Sequence, residues 1–415
     1  MTSVPPDQAP ARTGVDFLAV LEGLAAFDGE LSEDVRRNDD LRRRVLLSVQ
    51  RLVSELETPA ETAQRILYNE LELCAARIGV DLDVFSILSA STKSMTTEEI
   101  ATQTGVHPDI NLLARILRYM ASVGMIREVS AGLWAQSNYG SNLTDKRQRA
   151  GICHVHESVL PAYLALPEFL RAKNYQVPIS NTDTPFVRGH RAEPTTFFNW
   201  LQFHPANAGY FHEFMNVHRT GVRTWLDDKT ATGMVIDVLR EKDHPEAILF
   251  VDVGGGMGQQ CKLLKSRYPD LLGKIILEDL PEVVDKVDTE EAEFDKIGMS
   301  FFESQPVKAN YSGSTYLDWP DESCRTILGH IRDAMQQESI LVIDDLVLPD
   351  FGAHKFETQL DLTMLAMLNG QARTRGHWQE LLVQAGLVVS EIRVYEEEAR
   401  EAIIVARKSE PIALE

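Results

Sequence analysis

A glycine-rich turn near the middle of the chain has the residue types needed to hold a nucleotide-like ligand. The segment Val251–Gly258 (VDVGGGMG) follows a continuous apolar run and precedes a helical stretch, GQQCKLLKSRYP. Glycines let a backbone turn sharply and approach a ligand without a Cβ in the way. A glycine pattern alone is weak evidence, but here a predicted strand precedes it and a predicted helix follows it. We therefore assign ligand contacts to Gly254, Gly255, Gly256 and Gly258.

Two carboxylates accompany this turn. Asp252 lies two residues before Gly254, and Asp279 ends the next apolar run, 25 residues after Gly254. A carboxylate at the second position can accept hydrogen bonds from ribose hydroxyls. A nicotinamide dinucleotide and S-adenosylmethionine are both compatible with this pattern, and the order D-x-G-x-G-x-G favours S-adenosylmethionine.

The surrounding elements predict an α/β protein. After about residue 230, apolar runs typical of buried strands alternate with helical segments, as in a doubly wound, Rossmann-like sheet. Residues 95–137 have the helix, turn, helix and hairpin pattern of a winged helix. The predicted organisation is a loose tail (1–14), a helical and winged-helix dimerisation domain (15–149), and an α/β-fold domain (150–415) that combines a helical substrate-pocket region (150–230) with the Rossmann-like core (231–415).

Composition excludes several classes of protein. The chain has 415 residues, 44% of them hydrophobic, and a formal net charge of −21. An acidic surface argues against binding to nucleic acid or to anionic membranes, so the winged helix is expected to serve packing and dimerisation. The four cysteines are scattered, with no spacing typical of a metal site. We expect a cytoplasmic protein without a signal peptide, a membrane span or a metal.

Seven segments together resemble the caffeate-type small-molecule O-methyltransferases, and within them the branch found in fungal secondary-metabolite pathways. These segments are VDVGGGMGQQ, ILEDLPEVV, FFESQPVKA, LDWPDESC, ILVIDDLVLPD, QLDLTMLAML and RTRGHWQELLVQAGL, in the family's order. The resemblance implies a methyltransferase fold, S-adenosylmethionine as cofactor and a small-molecule substrate. It also implies a homodimer in which the N-terminal helices interlock and help to cover the partner's pocket.

The resemblance assigns further residues to the cofactor and to the substrate pocket. Besides the glycines and the two carboxylates above, the expected cofactor contacts are Leu280, Ser300 and Phe301. The expected pocket residues are Met215, Leu317, Trp319, Met364, Met367 and Leu368.

Three departures from the family pattern affect the chemistry. Transfer of a methyl group to a hydroxyl needs a base, which in the family is a histidine directly before an Asp-Trp-Pro-Asp block. Here Leu317 precedes that block (Asp318–Asp321). Of the two acids that orient the histidine, one corresponds to Asp345, but the other falls at Ala372. The aspartate that binds the adenine amino group corresponds to Ser300. The loss of all three indicates a change of reaction.

Some fungal proteins of this fold dehydrate an alcohol to a quinone methide and then direct a pericyclic closure, and in at least one the sulfonium charge of the cofactor assists. By this resemblance, Arg219 is a candidate donor to a substrate carbonyl. Asp318 is a candidate acceptor of a hydroxyl proton, and His154 and His156 are candidate acid/base groups. For each histidine a purely structural role is the commoner alternative, and Arg219 could instead pair with a nearby acid.

We therefore expect an enzyme that dehydrates or cyclises a polyketide-like or 2-pyridone-like precursor without methyl transfer. The cyclisation would be of the Diels–Alder, hetero-Diels–Alder or Alder-ene type. Two alternatives stay open, namely a genuine O-methyltransferase acting on a phenolic or polyketide hydroxyl, and a non-catalytic binding subunit that dimerises. Other diverged reactions on this fold, such as decarboxylation or hydroxylation, also stay open.

Overall fold

Two compact units, residues 1–71 and 72–415, divide the chain. The computed structural model describes residues 37–219, 223–287, 294–313, 316–396 and 400–409, except for the side chains of residues 39 and 216–219. The predicted tail, 1–14, lies outside this range, and the predicted boundary near residue 150 stays a prediction. In the first unit, α1 (Asp39–Leu56) and α2 (Pro59–Leu67) begin at the side-chain caps Asn38 and Thr58.

The winged-helix pattern predicted for residues 95–137 is confirmed. After α3 (Asn69–Asp81) and α4 (Val84–Ala90), the elements are β1 (Met95–Thr96), α5 (Thr97–Gln103), α6 (Ile110–Ser122), β2 (Ile126–Ser130) and β3 (Leu133–Gln136). The three strands form an antiparallel sheet in the order β1-β3-β2. Three apolar residues of α6, Leu113, Leu117 and Met120, are fully buried in the core of this region.

A helical region with an aromatic core follows. It contains α7 (Asn138–Asn142), α8 (Lys146–His154), a π-helix (Val155–Val159), α9 (Leu160–Ala172), α10 (Pro185–Gly189), α11 (Phe197–Gln202) and α12 (Pro205–Arg219). Phe186 and Phe197 are buried at its centre, and Phe211 and Trp200 pack against them. In the described part of the chain, no helix combines the length and the apolar content needed to cross a membrane.

The rest of the chain is an α/β layer structure, which confirms the predicted fold class. The 3₁₀ turn Trp225–Asp227 and α13 (Lys229–Glu241) precede β4 (Ile248–Val253), α14 (Gln259–Arg267), β5 (Lys274–Asp279), α15 (Pro281–Val284), β6 (Asp295–Gly298) and β7 (Asn310–Gly313). A 3₁₀ turn (Tyr316–Asp318) then leads to α16 (Asp321–Ala334), β8 (Leu341–Leu348), α17 (Lys355–Leu368), β9 (Arg373–Thr374), α18 (Arg375–Gln384), β10 (Leu387–Glu396) and β11 (Glu401–Lys408).

The order of strands in this sheet creates a crevice. The order is β10-β11-β8-β7-β4-β5-β6, with β9 pairing with β8. Strands β4 to β8 run parallel, and β10 and β11 are antiparallel additions at one edge. From β4 the chain proceeds outward through β5 and β6, then returns to the other side of β4 with β7. Ligands of such sheets bind at the carboxyl ends of the strands where this reversal occurs.

Candidate active site

The glycine turn lies at that reversal point, directly after β4. Gly256 has a φ of +58°, a left-handed conformation that favours glycine. A Cβ placed on Gly256 would meet no atom within 4 Å, so this side of the turn faces open space. A Cβ on Gly255, in contrast, would come within 2.5 Å of Oδ2 of Asp252. The turn is therefore packed on one side and open to a ligand on the other.

Asp252 supports the turn from its packed side. The residue is 1% exposed, and the thiol of Cys261 donates to its Oδ2 across 3.6 Å. Burial beside this carboxylate raises the pKa of the Cys261 thiol. Of the two carboxylates predicted to serve the cofactor, Asp252 is thus the one that shapes the turn.

Asp279, the second predicted carboxylate, lies at the open side. Its Oδ2 accepts a hydrogen bond from the amide of Gly256 at 2.8 Å, and its Oδ1 accepts one from the amide of Leu280 at 2.7 Å. Burial raises the pKa of Asp279, and these two hydrogen bonds oppose the rise. A carboxylate beside an open glycine turn suits ribose hydroxyls, so these residues fit the nucleoside half of S-adenosylmethionine.

We expect Asp279→Ala to weaken binding of S-adenosylmethionine by tenfold or more. The substitution removes the expected acceptor for the ribose hydroxyls and leaves the amide of Gly256 without its partner, which costs about 1–3 kcal/mol. Isothermal titration calorimetry with S-adenosylmethionine and its demethylated product measures the loss. Asp295→Ala, which removes an exposed carboxylate from the neighbouring strand β6, is the control and should leave the affinity unchanged. Equal affinities of wild type and Asp279→Ala would contradict the assignment.

Ser300 and Phe301, the residues predicted to contact the adenine, follow β6. The amide of Met299 donates to the carbonyl of Asp279 at 2.8 Å, so this loop is joined to the end of β5. The hydroxyl of Ser300 accepts from the amide of Phe302 at 3.3 Å. The Phe301 ring lies 5.7 Å from that of Trp319, nearly perpendicular to it. Phe301 and Trp319, predicted for the cofactor and for the pocket respectively, are therefore neighbours.

A buried carboxyl beside this loop was not predicted from the sequence. Glu278 is 1% exposed, and neither of its side-chain oxygens has a hydrogen-bond partner within the described part of the chain. The side chain of Gln305 is buried nearby and acts to lower the pKa of this carboxyl. Burial raises the pKa of Glu278 to about 7. The folded protein therefore favours the protonated form of this carboxyl.

This raised pKa predicts a stability that falls as the pH rises. Between the ordinary pKa of 4.5 and the folded value of about 7, the folded chain keeps a proton that the unfolded chain releases. The contribution of Glu278 to the free energy of unfolding is therefore complete below pH 4.5 and is lost as the pH rises through about 7. A rise of this size is worth on the order of 3 kcal/mol. We expect Glu278→Gln to match wild type in urea unfolding at pH 4.5 and to be more stable at pH 8. The same difference at both pH values would contradict the prediction.

Leu317, at the position where the resemblance leads us to expect a base, is joined to an acid through its backbone. Its amide donates to Oδ2 of Asp345 at 3.0 Å, and the amide of Leu346 donates to Oδ1 of the same carboxylate at 2.7 Å. Burial raises the pKa of Asp345 to about 6. The acid that the resemblance assigned to orienting a histidine thus lies beside residue 317, where the side chain is apolar.

Arg373 holds the turn that carries Leu317 and Asp318, and sequence reasoning missed it. Its side chain is completely buried, and its guanidinium donates to the carbonyls of Tyr316 and Trp319 at 2.9 and 2.8 Å. Its Nε also donates to Asp321 at 2.9 Å. These bonds fix the backbone on both sides of Leu317 and Asp318. The turn is therefore rigidly placed relative to β9.

The two candidate histidines lie at a break in helical geometry. His154 ends α8 and His156 lies in the π-helix that follows, and π-helical turns are frequent at functional sites. His154 lies among the rings of Phe197, Phe211 and Phe214, at centroid distances of 5.4 to 6.0 Å. Within the described residues, Nδ1 of each histidine is buried without a hydrogen-bond partner. Burial lowers the pKa of His154 to about 4, so its ring is neutral near pH 7.

Helix α17 connects this aromatic region with the Leu317 turn, because it packs against both the π-helix and the turn. It carries three predicted pocket residues, of which Met367 and Leu368 are buried and Met364 packs against the same apolar cluster. Met215 lies on α12 and is partly buried. Arg219 is the last residue of α12, and its side chain lies outside the described residues. Within the described part, no group of three or more potential ligands could hold a metal ion.

A family model and individual relatives both identify this chain as similar to O-methyltransferases. A family model described as an O-methyltransferase domain matches residues 222–388. The chain is 32% identical to O-methyltransferase ucdC of Aspergillus ustus, over 89% of this chain and 96% of the relative. It is 31% identical to O-methyltransferase lepI of Aspergillus flavus, over 90% and 96%.

Solved structures with a similar fold include a protein of the same name as one of these relatives. The structure of LepI in complex with SAM has a TM-score of 0.80 and 30% identity, and the match covers 95% of this chain and 99% of that one. A structure described as a pericyclic reaction enzyme has a TM-score of 0.77 and 29% identity, over 95% and 100%. The chain belongs to the O-methyltransferase family of fungal secondary metabolism.

Proposed function

We propose that this enzyme dehydrates a polyketide-like or 2-pyridone-like alcohol, directs a pericyclic cyclisation of the product, or does both, without methyl transfer. The observation that carries the proposal is Leu317, whose amide is bound to Asp345 and whose side chain cannot accept a proton. Methylation of a hydroxyl requires such an acceptor. The relative described as a pericyclic reaction enzyme supports this choice of chemistry.

In the proposed dehydration, Asp318 acts as the base. Its carboxylate takes the proton from an acidic ring hydroxyl of the substrate, and the released electron pair moves through the ring. The carbon–oxygen bond to the side-chain hydroxyl then breaks, and that hydroxyl leaves as water once it is protonated. The product is a quinone methide, and no oxidant or methyl donor is consumed. The position of Asp318 depends on the turn held by Arg373.

The pericyclic step depends mainly on the shape and polarity of the pocket. The rings around His154 and the side chains of Met364 and Leu368 provide an apolar wall. A neutral His154 can exchange a hydrogen bond with the substrate without adding charge. Arg219 is proposed to donate to a substrate carbonyl, where a fixed cation stabilises developing negative charge. His156 is retained as the alternative to His154, since its Nδ1 is also unpartnered within the described residues.

The glycine turn, Asp279 and Phe301 are proposed to hold S-adenosylmethionine, with Leu280 and Ser300 at the edge of the site. When bound, the cofactor supplies a positive sulfonium charge. Because Asp279 contacts the amide of Gly256, the carboxylate that would bind the ribose is fixed relative to the turn. The test is consumption of a 2-pyridone alcohol and the ratio of cyclised products, with and without added cofactor. Water loss or cyclisation by wild type supports the proposal, and the absence of both contradicts it.

A genuine O-methyltransferase is the second candidate, because the curated relatives are named as O-methyltransferases and the open glycine turn is intact. It predicts methyl transfer to a phenolic or polyketide hydroxyl through another base. A non-catalytic binding subunit instead predicts tight binding of a substrate without turnover.

We also propose a homodimer held by the N-terminal helices. Helix α1 exposes an apolar stripe at the spacing of one helix face, formed by Val45, Leu46, Val49, Val53 and Leu56, each at least 41% exposed.

Light scattering is expected to give twice the chain mass of 46.6 kDa at micromolar concentration. Val49→Glu combined with Val53→Glu should shift the protein toward monomer, because a charge in an apolar interface is costly. Arg51→Glu, on the opposite side of α1, is the control and should leave the dimer intact. A wild-type monomer would contradict the prediction.

A further inference from the structure

A carboxylate from α17 lies where the sequence lacks one. Ala372 occupies the position of the family's second orienting acid, and its side chain ends at Cβ. Oδ1 of Asp361 nevertheless accepts a hydrogen bond from the amide of Ala372 at 2.7 Å. The site therefore has a carboxyl group next to residue 372, supplied by a different element.

Asp361 lies on the face of α17 that is directed into the apolar cluster. Asp361, Met364 and Leu368 are spaced i, i+3 and i+7, which places them along one side of the helix. Met364 and Leu368 pack with the phenylalanine rings and with Val155 of the π-helix. Asp361 is only partly buried, and no described residue forms a hydrogen bond with its Oδ2. One oxygen is thus fixed while the other remains available to a ligand.

The segment that Asp361 contacts also touches the turn carrying Asp318. A Cβ on Gly370 would come within 2.3 Å of the carbonyl oxygen of Leu317 and within 2.8 Å of the carbonyl carbon of Asp318. Ala372 follows two residues later, and Arg373 then donates to the backbone around Leu317 and Asp318. The two carboxyl groups therefore belong to elements in direct contact with one another.

We propose that Asp361 is the general acid that complements Asp318 in the dehydration; this assignment rests on the proposed function. Asp361 gives its proton to the departing hydroxyl as the carbon–oxygen bond breaks, while Asp318 takes the proton of the ring hydroxyl. One proton enters and one leaves the pair of carboxyls, water is released, and exchange with solvent restores both groups. Burial raises the pKa of Asp361, which favours the protonated form needed before each turnover, while Arg373 and the amide of Ala372 act in the opposite direction.

Two substitutions separate acid catalysis from a structural role. Asp361→Asn keeps an oxygen that accepts from the amide of Ala372 but has no carboxyl proton to give. Asp361→Ala loses both. We expect Asp361→Asn to slow dehydration of a 2-pyridone alcohol by about 100-fold or more, with an unchanged melting temperature and unchanged affinity for S-adenosylmethionine.

The leaving group provides the readout that a structural role would not change. In the acetate ester of the same alcohol, the leaving group is acetate, which departs as a carboxylate and needs no protonation. We expect Asp361→Asn to eliminate acetate at a rate close to wild type, whereas Asp318→Asn should remain slow with both substrates. This pattern would support Asp361 as the acid.

Three results would overturn the assignment. If Asp361→Asn dehydrates the alcohol as fast as wild type, and only Asp361→Ala is impaired, then Asp361 only supports the backbone, and the proposed function is unaffected. If Asp361→Asn is equally slow with the alcohol and the ester, its role is not proton donation. If wild type converts neither substrate, the proposed function fails, and the role of Asp361 fails with it.

Discussion

Replacing Asp318 with asparagine is expected to slow conversion of a 2-pyridone alcohol by about 10²–10⁴-fold, the range typical of a lost general base. Asparagine has nearly the same shape but cannot accept the proton of the ring hydroxyl. The turn itself should survive, because Leu317 is bound through its amide to Asp345 and the flanking carbonyls are bound to Arg373. The loss should therefore appear in kcat and leave cofactor affinity unchanged.

Glu322→Gln is the matched control for this experiment. Glu322 is an exposed carboxylate at the start of α16, four residues from Asp318, and its ion pair with Arg325 lies at the surface. Its replacement should leave the rate within twofold of wild type. An Asp318→Asn variant that works at the wild-type rate would remove Asp318 from the mechanism.

Replacing Arg373 with alanine is expected to lower the free energy of unfolding by about 3 kcal/mol or more, because several hydrogen bonds of a buried guanidinium are lost together. The guanidinium has no exposed surface, and Asp321 loses its buried partner when it is removed. The carbonyls of Tyr316 and Trp319 lose their donors as well, and unsatisfied buried carbonyls add to the cost.

Urea unfolding measures this loss, with Arg325→Ala as the control. Arg325 is a more exposed arginine on α16 that pairs with Glu322 at 3.4 Å, and such surface pairs contribute less than about 1 kcal/mol. We expect the control to unfold close to wild type. If Arg373→Ala were as stable as Arg325→Ala, the buried network would not stabilise the turn.

The strands, the glycine turn and the winged helix were predictable because each depends on local pattern. Strand β4 is apolar except for Asp252 and is followed by glycines, and its burial on both faces of a parallel sheet explains that composition. The apolar residues Leu113, Leu117 and Met120 likewise recur at helical spacing, and all three lie on the buried side of α6. The contact between Asp279 and the glycine turn follows from both lying at carboxyl ends of neighbouring parallel strands.

The rest of the site could not be predicted, because it depends on residues far apart in the sequence. Arg373 contacts Tyr316 and Trp319, which precede it by 57 and 54 residues, and no spacing pattern marks such a pair. The proximity of Asp361 to Ala372 depends on how α17 ends: Asn369 adopts a left-handed conformation with a φ of +53°, after which the chain turns back. In the sequence, Glu278 is a polar residue near the end of a strand. Its burial depends on how the surrounding elements pack, which no local pattern indicates.

The fate of the cofactor's methyl group distinguishes dehydration and cyclisation from methyl transfer. The enzyme is incubated with a 2-pyridone alcohol and S-adenosylmethionine carrying a deuterated methyl group, and products are followed by mass spectrometry. We predict a product lighter than the substrate by one water, without deuterium, and S-adenosylmethionine recovered intact. A product heavier by one deuterated methyl group, formed together with an equal amount of S-adenosylhomocysteine, would rule out the proposed reaction and identify a working O-methyltransferase.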